Sequence, residues 1–349
     1  AVRADASRTL GSGHVMRCLT LAEGLRDLGA TVRFVCRDLP GHMGPRIMAQ
    51  GFGLDLLTTD ASWNVASDVE LTRAAIGAAG CDWMVVDHYG LAADWEGALR
   101  PLYRRLMVID DLADRQHLAN LLLDQNLGRD HYAYSGWLPP ETKLLIGPRY
   151  ALLRPEFSAA RDASLRRRAV GGLQTVLISM GGADPQQATL RVLQAMASGV
   201  LPQHLEITVV LGAIADTRAA IESLLPGFPR PVRLCVDVAD MASLLAQADL
   251  VIGAAGSSAW ERCCLGVPTF QLVLADNQVA AADHLANCGA ARTLALQGNW
   301  QLQLQAWLLE AAHDNDLLRT MSACAAAVTD GSGTVRVLQA LRQLQTQHF

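Results

Sequence analysis

The sequence predicts a two-domain α/β protein on three observations. Short apolar runs alternate with helical stripes along nearly the whole chain, the order that a parallel sheet with crossover helices produces. The alternation starts twice, once at the first residues and again near residue 173, and 349 residues are more than one ordinary core organises. Hydrophobic residues make up 51% and charged residues 18%, which separates the chain from a disordered one and supplies apolar surface for two cores.

A strand of two or three residues opens the first half and leads into Gly11-Ser12-Gly13-His14-Val15-Met16-Arg17. Val15, Cys18, Leu19, Leu21, Ala22, Leu25 and Leu28 then form one helical stripe, which Gly29 ends. Residues 31–36 read as a buried strand and 46–51 as the end of a helix with a glycine stop. Two further strands run out into polar residues, 83–87 into Asp87, His88 and Tyr89, and 105–109 into Asp110 and Asp111. Open α/β sheets take ligands at that carboxyl edge, so both ends are expected beside the His14 loop. Residues 121–126 and 143–147 read as the last short strands, with Pro139-Pro140 between them. The expected N-terminal domain is 1–155, and the charged stretch 156–172 reads as a linker.

The second half restarts with a strand at 173–179 that ends in Met180-Gly181-Gly182, followed by a helical stripe through Thr189, Val192, Leu193 and Met196. Strands at 206–212, 232–236 and 249–253 follow, with helices at 219–225 and 239–248 between them. Gly253-Ala254-Ala255-Gly256-Ser257-Ser258-Ala259-Trp260-Glu261 then joins a turn to a helix, and after a strand at 268–273 Ala275-Asp276-Asn277-Gln278 opens another. From Gly331-Ser332-Gly333 the residues Val335, Val337, Leu338 and Leu341 mark a final amphipathic helix. The expected C-terminal domain is 173–330, with 331–349 as a closing helix and no third domain after it.

Several function classes are excluded at this point. A net charge of −5 argues against a nucleic-acid partner, and the run Arg166-Arg167-Arg168 reads as a solvated surface. The eight cysteines include no C-x-x-C pair and read as buried free thiols of a reducing compartment. No apolar run approaches the roughly 18 residues of a membrane helix, so no stable membrane anchoring is expected. No signal-peptide pattern opens the sequence, and a cytoplasmic protein is expected. The sequence starts at Ala1 without methionine, so a few native residues are expected to precede it. Asp110-Asp111-Leu112-Ala113-Asp114 imitates the aspartate-rich Mg-diphosphate motif of prenyl synthases in letters only, because those enzymes are all-helical and this stretch follows a strand. Its carboxylates suit a direct site role and, equally, a structural one, capping the next helix or pairing with Arg115. His117 and His131 lack metal-ligand spacing, and no metal or cofactor is expected.

Two stretches carry chemistry. In a G-x-G-x-x-G dinucleotide turn the third glycine would stand where Met16 is, so the first loop delivers His14 instead. A helix N-terminus disfavours imidazolium and attracts anions, which predicts a neutral His14 able to accept a proton beside a resting place for phosphate. The competing reading is a histidine that merely sits near a helix start. In the second stretch, Gly256, Ser257 and Ser258 supply N–H and hydroxyl donors suited to a diphosphate, and Glu261 an acceptor for vicinal ribose hydroxyls. Glu261 three residues after Ser258 equally fits a capping box. The Gly181-Gly182 turn is another place for backbone donors to face phosphate, although a tight turn needs glycine for steric reasons alone.

These motifs resemble a known family. Arg3-Ala4-Asp5-Ala6-Ser7 with Gly11-Ser12-Gly13-His14-Val15-Met16-Arg17-Cys18-Leu19, and Gly256-Ser257-Ser258-Ala259-Trp260-Glu261-Arg262-Cys263-Cys264-Leu265-Gly266-Val267-Pro268, are similar to signatures of the UDP-sugar hydrolases of the pseudaminic acid (flagellin glycosylation) pathway. Val86-Asp87-His88-Tyr89, the Asp110 to Arg115 block and the Tyr150 to Phe157 block look like further family segments, whereas 55–80 and 296–330 match none. That family acts on UDP-2,4-diacetamido-2,4,6-trideoxy-β-L-altropyranose and belongs with the GT-B glycosyltransferases. The resemblance implies a GT-B type fold of two Rossmann-like domains facing a central cleft, with the C-terminal helix returning to the N-terminal domain.

It also implies metal-independent hydrolysis at the anomeric carbon with inversion, with a UDP-sugar as substrate and UDP as product. His14 takes the proton of the attacking water, and Tyr89 and Asp87 position water or sugar, each equally explained as strand-end packing. UDP falls to Gly182, Met241, Gly256, Ser257, Ser258 and Glu261. Gly13, Arg17, Asn277 and Gln278 are candidate sugar or phosphate contacts, with a local acid as the other partner for Arg17. The alternatives are a GT-B glycosyltransferase using a UDP-amino sugar donor and a non-catalytic nucleotide-sugar binding protein.

Overall fold

In a computed structural model the chain is described over residues 1–58, 63–182, 184, 186–202, 204–213 and 215–346. It divides into two compact units, one of Ala1–Leu152 with Ser332–Phe349 and one of Leu153–Gly331. The first unit runs β1 (Val2–Ala4), α1 (Gly13–Asp27), β2 (Arg33–Arg37), α2 (Gly44–Ala49), β3 (Gly53–Leu57), α3 (Val65–Ile76), β4 (Cys81–Asp87), α4 (Ala93–Ala98), β5 (Tyr103–Ile109), β6 (Leu121–Asp124) and β7 (Lys143–Ile146). Among the described residues its strands form one parallel sheet in the order β3-β2-β1-β4-β5-β6-β7. Strands β1, β4 and β5 bury nearly every side chain toward their carboxyl ends because helices cover both faces, which explains runs such as Met84-Val85-Val86 in place of alternation.

The second unit runs α5 (Pro155–Arg168), β8 (Thr175–Ser179), α6 (Ala188–Ala197), β9 (Glu206–Leu211), α7 (Arg218–Leu224), β10 (Val232–Val236), α8 (Met241–Gln247), β11 (Leu250–Ala254), α9 (Ser258–Cys264), β12 (Thr269–Leu272), α10 (Val279–Asn287), β13 (Ala291–Leu294), α11 (Trp300–His313) and α12 (Asn315–Val328). Its sheet, also parallel, has the order β10-β9-β8-β11-β12-β13 among the described residues. The chain closes with α13 (Gly333–Thr346), which belongs to the first unit. Its Val337, Ala340 and Leu341 share a core with Val15, Cys18, Leu19 and Phe34, and Leu338 lies over Gly24 of α1.

The linker expected at 156–172 is instead the helix α5, built into the second unit. Its arginines explain why. Arg168, buried, donates to the carbonyls of Leu265, Ala248 and Leu245 at 3.1, 2.7 and 2.9 Å, and Arg161 donates to those of Cys264, Thr329 and Ala326. Carbonyls at helix ends have no intrahelical partner, so α5 supplies what α8, α9 and α12 lack. The reading of Arg166-Arg167-Arg168 as a solvated run is corrected accordingly: Arg168 is inside, and Arg167 pairs with Asp249 at 2.6 Å.

Residues 55–80 and 296–330, silent in motifs, carry most of β3 and all of α3, α11 and α12. Helix α3 starts at a capping box in which Asn64 and Ser67 each accept from the other's backbone N–H. No helix follows Asp110 to Asp114; Asp110 instead accepts from Ala113 N at 2.7 Å in a turn and pairs with Arg115 at 2.9 Å. The cysteines are free thiols, but only Cys18, Cys36, Cys263 and Cys264 are buried, and Cys288 is exposed. Among the described residues no helix is long and apolar enough to cross a membrane.

Candidate active site

In the first unit β1 lies between β2 and β4, so the loops leaving β1 and β4 diverge at the switch point of the sheet, where open α/β sheets form a crevice. His14, at the second residue of α1, enters there from one side and Asp87, the last residue of β4, from the other. His14 Nδ1 lies 2.5 Å from Asp87 Oδ1. Arg17, one turn further along α1, donates through Nε to Asp87 Oδ2 at 2.6 Å and through Nη2 to Oδ1 at 2.7 Å. The same guanidinium donates to both oxygens of Asp111 at 3.0 and 2.8 Å. Tyr89 donates its hydroxyl to Asp111 Oδ2 at 3.1 Å and stands edge-on to the imidazole, ring centroids 4.7 Å apart.

The electrostatics follow from burial and pairing. Burial alone would raise the Asp87 carboxyl, but Arg17 and then His14 outweigh it and hold the group well below the usual carboxylate range. Asp111 is lowered in the same way, with Arg17 opposing burial. Asp87 is therefore a fixed anion that accepts the Nδ1 proton, which leaves Nε2 as the nitrogen able to take another. Nε2 has no hydrogen bond among the described residues, and the side chain keeps 11% of its surface.

On the other side of β4, His88 accepts from Gly90 N at 2.9 Å through Nδ1 and meets Asp5 at 3.1 Å through Nε2. Asp5 is held in turn by Arg3 and Arg37, at 2.5 and 2.6 Å. Tyr89 thus follows a residue pinned to the end of β1.

In the second unit β8 and β11 are neighbours, and the loops after them carry Gly182 and Gly256. A Cβ on Gly212 would run into the Gly182 carbonyl oxygen, so this approach of the β8 loop to the end of β9 requires glycine. A Cβ on Gly256 would meet the Gln278 side-chain amide at 3.4 Å, which places Gln278 beside the Gly-Ser turn, where its Oε1 accepts from Leu274 N at 3.0 Å. Helix α9 is capped at Ser257 with no side-chain hydrogen bond, and Ser258 accepts from Arg262 at 3.0 Å. Glu261 keeps 24% of its side-chain surface. Burial pushes its carboxyl up to about 7, opposed by Arg154, whose guanidinium is 4.0 Å away. Arg154 also pairs with Glu156 at 2.9 Å and donates to Ala239 O at 3.3 Å, two residues before Met241.

Comparisons with known proteins bear on this architecture. Residues 176–335 match the glycosyltransferase family 28 C-terminal domain. Over 98% of both chains the structure superposes on MurG of Acinetobacter baumannii with a TM-score of 0.65 at 18% identity. The fold is of the GT-B type. The Anabaena protein Alr3699/HepE, solved in complex with UDP and glucose, shares it with a TM-score of 0.56 at 14% identity over 99% of both chains. In sequence, the chain is 29% identical to the spore coat polysaccharide biosynthesis protein SpsG of Bacillus subtilis, covering 99% of this chain and 98% of that one. It is 23% identical to the UDP-2,4-diacetamido-2,4,6-trideoxy-beta-L-altropyranose hydrolase of Campylobacter jejuni, over 82% of this chain and 96% of that one.

Within the GT-B frame, the predicted residues Gly13, His14, Arg17, Asp87 and Tyr89 come together in one cluster of the first unit. Three readings change. Of the two partners offered for Arg17, the structure has the local acids, which take its Nε, Nη1 and Nη2 and leave it 7% exposed. Asp87, 1% exposed, is closed off from solvent, and its oxygens are taken by His14 and Arg17. Glu261 is not a capping-box residue, because the cap is Ser257 and Glu261 lies a position too far along. In the second unit Gly256, Ser257, Ser258 and Gln278 border one turn, and Glu261 faces Arg154. Asn277 is exposed in a 3-10 turn, Gly182 stands in the loop after β8, and Met241 opens α8.

Asp111 and Arg154 are the functional candidates that motif reading left unassigned. Asp111 had a signal as a carboxylate just past a strand end; Arg154 had only its place in a family block.

Proposed function

We propose that this GT-B protein is a UDP-sugar hydrolase. The observation that carries the reading is His14 held by the buried Asp87 carboxylate at a sheet switch point, a base with one nitrogen committed and the other available. Nε2 takes a proton from water as the water oxygen bonds to the anomeric carbon. The bond from that carbon to the diphosphate oxygen breaks, and its electron pair leaves on UDP. Direct attack by water on the face opposite the leaving diphosphate, without a covalent intermediate, gives inversion. The second unit is assigned the nucleotide, with Gly256, Ser257, Ser258 and Gln278 beside the diphosphate and Glu261 on the ribose hydroxyls. Relatives support the substrate class: the Campylobacter jejuni protein is named for hydrolysis of a UDP-diacetamido sugar, and Alr3699/HepE was solved with UDP and glucose. The diacetamido-altrose sugar of the first of these is the finer part of the proposal.

A transferase is the second reading, favoured by the family 28 match, with an acceptor hydroxyl in the place of water. A time course by NMR with a panel of UDP-diacetamido sugars and no acceptor tests both. Release of UDP with the inverted free sugar formed first is expected. Consumption only after an acceptor is added would replace the hydrolase reading with the transferase. Binding without turnover under either condition would remove both.

A further inference from the structure

Asp111 is fixed by more than the groups its carboxylate holds. Its main-chain carbonyl accepts from Arg129 Nη2 at 2.9 Å and from Asn126 Nδ2 at 3.3 Å. Arg129 Nε also donates to Asp124 Oδ2 at 2.9 Å, and Asn126 N to Asp124 Oδ1 at 2.9 Å. Asp124 ends β6 and is fully buried, so this loop is bracketed onto a rigid strand. Tyr134 closes the bracket from behind, its hydroxyl lying 2.9 Å from Asp124 Oδ2 and 3.0 Å from Asp110 Oδ2.

The geometry points to Arg129 as a positioning residue for the His14 chemistry. Its fork ties the Asp111 carbonyl to the Asp124 carboxylate and so sets where the Asp111 side chain holds Arg17 and Tyr89 against the imidazole. A planar guanidinium with two donors in fixed relation can span both acceptors, and an ammonium on a flexible stem can serve only one at a time. The inference rests on the reading of His14 as the base, and its test separates the two.

Arg129→Lys and Arg129→Ala in the full chain are compared with wild type by melting temperature, by kcat and KM for UDP release, and by the low-field proton resonance of the His14 to Asp87 hydrogen bond in the substrate-free protein. Lysine keeps a positive charge beside Asp124, so Arg129→Lys is expected to recover the melting temperature that Arg129→Ala loses. It is also expected to remain about 10-fold low in kcat with KM within twofold, and to shift the His14 resonance, because the fork is gone. A lysine variant with wild-type kcat and an unmoved resonance would reduce Arg129 to neutralising Asp124 and overturn the proposal. If the alanine variant fails to fold, Asn126→Ala, which removes the second donor to the same carbonyl, takes its place with the same expected signs. A shifted resonance in a protein that releases no UDP defeats the hydrolase reading and leaves the positioning role standing.

Discussion

Replacing Asp87 by Asn keeps the shape of the side chain and turns one acceptor oxygen into a donor. Both orientations of the amide are bad. With nitrogen at the Oδ2 position it faces Arg17 Nε, now 2.6 Å away, and with nitrogen at Oδ1 it faces Arg17 Nη2 and His14 Nδ1, at 2.7 and 2.5 Å. In the second orientation His14 escapes the clash only by accepting at Nδ1, which moves its proton to Nε2 and removes the base. Removing one partner of a buried ion pair costs about 3–5 kcal/mol, and because Asp111 still holds Arg17 the lower end, about 3 kcal/mol, is expected. For a unit of this size that is a drop of roughly 6–12 °C in the melting transition. The kinetic loss should be larger in proportion, about 10²–10⁴ in kcat, since a base in the wrong tautomer forfeits general-base assistance. The assay is UDP release measured for wild type, Asp87→Asn, His14→Gln and the double variant, at a temperature below the lowered transition. If Asp87 works through His14, the double variant is no slower than His14→Gln alone. Losses that multiply, or an Asp87→Asn protein with full turnover, would refute the coupling.

Two further predictions concern pH. Glu261 ionises at about 7 in the folded chain, raised by burial against the opposing Arg154, so a carboxylate accepting ribose hydroxyls is complete only above that pH. UDP affinity of wild type relative to Glu261→Gln is expected to fall as the pH drops from 8 to 6, read by calorimetry, and an unchanged ratio would release Glu261 from the nucleotide. Asp124 ionises at about 6, lifted mainly by burial. Its folded value lies above its unfolded one, so the native state holds a proton that the unfolded state has lost between about pH 4 and 6. Its contribution to stability is present below that window and is lost as the pH rises through it, by about 2–3 kcal/mol. Urea unfolding at pH 5 and pH 7 should show about half of this difference, roughly 1–1.5 kcal/mol, in wild type minus Asp124→Asn. No difference between the two pH values would place the carboxyl in its ionised form throughout.

How much of this the sequence discloses depends on how far apart the interacting residues lie along the chain. The doubled α/β alternation and the loops after β1, β4, β8 and β11 are legible because each rests on a local pattern: an apolar run, a glycine turn, a stripe of period 3.6. His14, Asp87 and Tyr89 could be named for the same reason, since each stands just past a strand and strand ends share one edge of a parallel sheet. What each of them touches was not legible. Arg17 reaches Asp111 across 94 positions, and no spacing rule announces that the guanidinium between two carboxylates is consumed by them. The linker assignment failed on the same ground. Residues 156–172 are charged enough to read as solvated, yet Arg161 and Arg168 are answered by main-chain carbonyls, which carry no signature in the residue letters.

The helix start brings His14 to the sheet edge, but what holds the imidazole there is a carboxylate 2.5 Å away, itself shared with Arg17. The cluster is better understood as a chain of constraints: Arg17 fixes Asp87, Asp87 fixes the imidazole tautomer, and Asp111 fixes both Arg17 and the Tyr89 ring packed on the imidazole edge. Each residue acts on the one available nitrogen through another. Mutations in the cluster should therefore behave as one unit, with losses that do not add, while changes at Gly256 or Glu261 in the other unit should add to them independently.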